Sequence, residues 1–193
     1  MNNPLLLFVG PSGCGKTTVA EVLECNNNYK TIKSYTTRGQ RYDGEIGHVF
    51  ISEDEFDALE NIVAYTHYNG HRYCTTKEQL DEATSYVVDI PGVETLLRNY
   101  DTKRPILVFY FDTTVTTRID RMFDRGDSDT AIVGRLHNDE SYDWFDKLDS
   151  IIGRHNYKHR TSKVELHQIN ANKTLSEVVV QILYYVERYM EGC

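Results

Sequence analysis

The stretch Gly10-Pro11-Ser12-Gly13-Cys14-Gly15-Lys16-Thr17 fits the pattern GxxxxGK[ST], and its setting restricts the fold more than any other segment. The apolar run 5–9 (Leu5, Leu6, Leu7, Phe8, Val9) predicts a buried strand leading into it. Val19, Ala20, Val22 and Leu23 predict the first turns of a helix leaving it. Strand, glycine loop and helix N-terminus together make an anion site. Glycine lets the backbone curl so that several N–H groups meet one phosphate. Lys16 adds a positive charge, and the Thr17 hydroxyl suits Mg²⁺. On this reading Gly10, Ser12, Gly13, Cys14, Gly15, Lys16, Thr17 and Thr18 bind a nucleotide, and Thr17 is the metal ligand. The plain alternative is a glycine turn carrying a surface lysine.

Length and charge narrow the setting. A chain of 193 residues suits one domain, and at this size roughly 70% of the unfolded surface is hidden on folding. With 29 acidic residues against 21 basic, the net charge is −8. That argues against a nucleic-acid or membrane partner, because phosphate-backbone affinity needs surplus positive charge. Any basic site is therefore local. Cys14, Cys25, Cys74 and Cys193 lack CxxC pairing, so reduced thiols and a cytoplasmic location are expected. No apolar stretch reaches the ~20 residues of a membrane span, and a strand beginning at residue 5 leaves no room for a signal peptide.

Further apolar runs at 86–90, 106–111 and 164–169, with a weaker one at 31–35, alternate with helical stretches. This pattern predicts an α/β fold of the P-loop NTPase class: a five-stranded, mostly parallel sheet flanked by helices. The last helix is the best defined. Thr174 and Glu177 fit a capping box, and Leu175, Val178, Val179, Ile182, Leu183 and Val186 make one face. A second capping box, Ser52 with Glu55, marks a short helix in an otherwise polar stretch. The alternation breaks twice. The expected core is 1–33, 76–117 and 151–193, with insertions at 34–75 and at 118–150, the latter all helical.

Arg38 and Arg41 stand three apart among Ser34, Thr36 and Thr37. The arginine fork gives a phosphate two parallel charge-assisted bonds, each contributing about 1.5–3 kcal/mol. This predicts a second phosphate site; a solvated loop fits the same residues. Arg118, Arg121, Arg125 and Arg135 form another basic set on helical spacing, interleaved with Asp120, Asp124, Asp127 and Asp129. They fit either a surface of weak ion pairs or a mobile arginine face that closes on a phosphoryl group. His67/His71 and His155/His159 are spaced as helical metal ligands are, but no further ligands complete a zinc set.

These features in this order resemble the guanylate kinase family, from the glycine loop to the last helix. The resemblance rests on Arg38-x-x-Arg41 followed by Gly44-Glu45, on Asn69-Gly70-His71-Arg72-Tyr73-Cys74-Thr75, and on Arg121 to Ser128 with Ile132 and Arg135. It implies ATP-dependent phosphorylation of GMP or dGMP with Mg²⁺, by a monomer or homodimer. It makes 34–75 a nucleoside-monophosphate-binding subdomain and 118–150 a lid. Residues matching Arg38, Arg41 and Tyr73 hold the acceptor phosphate in that family, and those matching Ser34 and Thr75 touch the guanine. Those matching Arg121, Arg125 and Arg135 reach the donor phosphates. Glu45 and Asp89 match positions near the acceptor and the metal shell respectively. The resemblance thus assigns catalysis to Lys16, Arg38, Arg121, Arg125 and Arg135, and acceptor binding to Ser34, Arg38, Arg41, Glu45, Tyr73, Thr75 and Asp89.

Three departures stand out. The segment after Glu45 is shortened to Ile46-Gly47-His48-Val49-Phe50, without the family's phosphate-binding tyrosine; His48 fits either a substitute or a packing residue. Asp89-Ile90-Pro91-Gly92 is shorter than the family's strand end. The guanine-reading glutamate falls on Ala64, which removes hydrogen bonds to a charge of about 1.5–3 kcal/mol each.

Overall fold

A computed structural model describes residues 3–27, 29–40, 43–45, 47–140, 143–159 and 164–192. The first strand, β1 (Leu5–Val9), has no exposed residue. It lies between two parallel neighbours, β6 (Ser85–Val87) and β7 (Ile106–Asp112), with β8 (Val164–Asn170) beyond β7. Strands covered on both faces read as unbroken apolar runs, which is why this one was legible. Alternation then splits its side chains. Leu5, Leu7 and Val9 join a core layer with α4 (Ile90–Asn99) and α7 (Trp144–Lys158). Leu6 and Phe8 join the opposite layer with α1 (Lys16–Asn27) and α8 (Leu175–Glu191).

The sheet has four strands among the described residues where the sequence predicts five. At the fifth place Thr31 makes a single parallel bridge to Ser85. The rest of that segment leaves for a second sheet, as β2 (Ser34–Thr36). The strand expected at 86–90 also ends early, because the Asp89 carboxylate accepts the Gly92 N–H at 2.8 Å and caps α4.

The second sheet runs β3 (His48–Phe50), β2, β5 (His71–Thr76), β4 (Ile62–Tyr68). Strands β4 and β5 form a hairpin through Asn69-Gly70. Both have positive φ (51° and 77°), as a two-residue hairpin turn demands. Around this sheet lie α2 (Glu53–Asp57), with the expected Ser52–Glu55 capping box, and α3 (Lys77–Glu82).

The helical stretch comprises α5 (Val115–Asp124), α6 (Asp129–Glu140) and α7. Gly126 (φ 87°) ends α5 in the left-handed conformation that glycine adopts without strain. Helix α7 runs past residue 150 and buries Leu148, Ile151 and Ile152 in the core. Among the described residues no helix is long and apolar enough to cross a membrane.

Candidate active site

Strand β1 delivers the chain to the glycine loop, and Lys16 opens α1 at its far end. Gly13 and Gly15 have φ of 79° and 98°, and a Cβ on Gly13 would lie 2.7 Å from the Arg118 carbonyl oxygen. Only glycine allows that approach of α5 to the loop. The first turn of α1 carries no acidic residue, which leaves the positive end of its dipole uncompensated. The Lys16 ammonium donates to the carbonyls of Gly10 (2.6 Å) and Pro11 (2.9 Å). Cys14 is buried; Thr17 and Thr18 are exposed.

Two cavities flank the loop. The smaller, about 490 Å³, is lined by Gly13 to Thr18, by Arg121, Arg125 and Arg135, and by Lys173. The larger, about 800 Å³, lies between the loop and the second sheet. Ser34, His48, Tyr73 and Asp89 line it, as does the hairpin stretch 65–69. Ser12, Lys16 and His48 line both. Lys16 thus belongs to the walls of both spaces.

On the arginine side, the Arg121 guanidinium donates to the carbonyls of Cys14 (3.1 Å) and Ala171 (2.8 Å), lying directly on the loop. Arg125 forks onto Asp127 (3.1 and 2.5 Å), and Arg135 Nε lies 3.4 Å from the same carboxylate. The ion pairs expected from the sequence are thus present for Arg125 and Arg135, and both arginines line the smaller cavity. Arg118 departs from the set. It is buried against Asp139 and donates to the Ser12 carbonyl at 2.8 Å.

On the second-sheet side, Arg38 makes a two-pronged pair with Glu45 (2.8 and 3.2 Å). Its side chain is 10% exposed and that of Glu45 7%. Burial disfavours the guanidinium's charge, but the bonds and charge of Glu45, with Tyr73, outweigh it and raise the pKa. Its fork is taken up by Glu45, and its Nε–H is buried without a partner among the described residues. Arg38 is not among the residues lining either cavity, and its guanidinium is engaged by Glu45 and Tyr73. Arg41 lies outside the described residues. Tyr73 lines the larger cavity with its ring edge-on to His48, at 5.6 Å. His48 Nδ1 is 2.9 Å from Ser34 Oγ, so the histidine both packs and faces the cavities.

Thr75 is fully buried within the sheet and is not among the residues lining the larger cavity. Ala64 pairs across from it and is equally buried, so the position matched to a base-reading carboxylate lies in the core. Asp89 lines the larger cavity. Burial raises its carboxyl pKa, opposed by the Gly92 N–H, Thr66 and the charge of Lys16.

Several wall residues escaped the sequence reading: Tyr65, Tyr68, Asn138, Asp139 and Trp144. For the first two, the Asn-Gly turn was the available signal. The last three carry none, because only the folded chain brings α6 and α7 to the loop. His67 and His71 sit on opposite strands of the hairpin, not on one helix. Among the described residues no group of three or more His, Cys, Asp or Glu could hold a metal ion.

The chain is 30% identical to the guanylate kinase of Clostridium tetani, over 77% of this chain and 84% of that protein. The crystal structure of guanylate kinase from Anaplasma phagocytophilum superposes with a TM-score of 0.56 at 17% identity. It covers 97% of this chain and 86% of that one, a likeness of fold. No family model matches the chain.

Proposed function

The chain belongs to the guanylate kinase family, and from that premise we propose that it transfers the γ-phosphoryl group of ATP to a nucleoside monophosphate, GMP or dGMP first. The observation that carries this reading is the position of Lys16 between an arginine-lined cavity and a second cavity walled by Ser34, Tyr73 and Asp89. The smaller space takes ATP and the larger the acceptor.

An oxygen of the acceptor phosphate attacks the γ-phosphorus, the bond to the β-phosphate oxygen breaks, and ADP leaves. No covalent residue is needed; the protein has to bring two polyanions together and exclude water. The loop N–H groups and Lys16 hold the β- and γ-phosphates. Arg121 reinforces the loop, while the side chains of the lid arginines Arg125 and Arg135 turn from Asp127 to the donor. Tyr73, braced by Arg38 and Glu45, orients the acceptor phosphate with Ser34 and His48, and Arg41 adds charge. The Thr17 hydroxyl and the Asp89 carboxylate are hard oxygen donors of the kind Mg²⁺ takes alongside water and phosphate. When bound, Mg²⁺ neutralises charge on the phosphates. The second sheet with α2 serves as the acceptor-binding subdomain. A monomeric or homodimeric cytoplasmic enzyme completes the reading, and the net charge of −8 argues against a nucleic-acid or membrane partner.

The buried Ala64 favours one second reading: the same chemistry on another base. Release of ADP measured across GMP, dGMP, AMP, CMP and UMP tests both. Turnover with GMP or dGMP supports the first and turnover only elsewhere the second. Turnover with none, despite ATP binding, leaves a binding module and refutes both.

A further inference from the structure

One residue of the glycine loop is held on both sides by a buried ion pair. The Ser12 N–H donates to Asp139 Oδ2 at 2.9 Å, and the Ser12 carbonyl accepts from Arg118 Nε at 2.8 Å. The same Asp139 oxygen pairs with the Arg118 guanidinium at 2.5 Å, and each side chain is only 7% exposed. The adjoining Gly13 lies so close to the Arg118 backbone that a Cβ would not fit. Residues 12 and 13 are therefore fixed against α5 and the end of α6. Neighbouring residues extend the connection. Asn138 Nδ2 donates to Asn69 Oδ1, at the tip of the β4–β5 hairpin, at 2.9 Å. Trp144 Nε1 donates to the Asp139 carbonyl at 3.2 Å. Asn138, Asp139 and Trp144 all line the larger cavity.

We propose that Arg118 and Asp139 are positioning residues that lock Ser12 of the phosphate loop and, through Asn138, tie it to the acceptor hairpin. The tie directs the phosphoryl group to the acceptor in preference to water. The inference rests on the phosphoryl-transfer reading above. Its physical basis is that a buried pair is held only where its charges and hydrogen bonds are mutually satisfied, so its geometry is sharply defined. Ser12 inherits that geometry. A loop displaced by a fraction of its bond lengths still binds nucleotide but presents the γ-phosphorus out of line.

The test compares phosphoryl transfer to GMP with ATP hydrolysis in the unmodified protein, Asp139→Asn and Arg118→Lys. The ratio of transfer to hydrolysis does not depend on how much of the protein is folded, so a merely structural role would not move it. The ratio is expected to fall about tenfold in both variants while the ATP KM stays within a few-fold. Should neither variant fold, Asn138→Ala replaces them; it breaks only the hairpin contact and should lower the ratio in the same direction. An unchanged ratio in the folded variants overturns the proposal. Trp144, the only tryptophan, supplies a readout that does not need turnover. Its emission should change when a non-hydrolysable ATP analogue binds the unmodified protein, and change much less in Asp139→Asn. If the unmodified protein phosphorylates no nucleotide, the functional reading fails, and this fluorescence comparison decides the coupling by itself: equal responses in both proteins overturn it.

Discussion

On the proposed reading Lys16 carries the largest burden of any single side chain, because among the described residues it is the one lysine that lines both cavities. Lys16→Ala is expected to lower kcat by on the order of 10²–10³-fold in steady-state assays, with the thermal transition little changed. Arg38 behaves differently. Removing it strips a two-pronged pair from the buried Glu45 carboxylate, so Arg38→Ala should lose about 1–3 kcal/mol in urea unfolding as well as turnover. Asp89 carries the opposite sign. Burial raises its folded pKa, so the folded state holds the proton more tightly than the unfolded chain. Its contribution is favourable at acid pH and is lost as pH rises through the folded value. Asp89→Asn keeps an acceptor for the Gly92 N–H and has no charge to bury. Thermal melts should therefore show the variant gaining on the parent between acid and neutral pH, while turnover falls.

At the scale of elements, local signals were legible and nonlocal ones were not. The glycine loop, the buried run of β1 and both capping boxes declare themselves within a few residues, and each is found at the predicted positions. The Thr174 cap should be measurable: Thr174→Ala is expected to reduce stability by about 1 kcal/mol in urea unfolding. Strand β4 was not legible, for a reason tied to its task. Only Val63 and Ala64 are buried, while Tyr65, Thr66, His67 and Tyr68 line a cavity and so interrupt the apolar alternation that marks a strand. The run at 31–35 misled because it crosses from one sheet to the other and pairs with both. Arg38–Glu45 and Arg118–Asp139 were unreadable as pairs, since charges 7 and 21 residues apart meet only once the fold is set.

Across the whole molecule, the two sheets and the α5–α6 pair surround one phosphate loop. A net charge of −8 sits uneasily with binding two polyanions, and the fold answers by confining its useful cations to the loop walls. Arg121, Arg125, Arg135, Lys16 and Lys173 all face the smaller cavity. Fixed charge concentrated in a cleft attracts anions over a screening length of about 8 Å at physiological salt. The KM for ATP should accordingly rise with ionic strength, and rise less steeply in Arg135→Ala, as titration of KCl in the kinetic assay would show. The most direct measurement of the central claim follows label from ATP carrying a marked γ-phosphate, incubated with GMP and Mg²⁺. The label should appear in the β-position of GDP, at a rate that collapses in Lys16→Ala. Label that stays in ATP or passes only to free phosphate, with every monophosphate of the panel present, would contradict it.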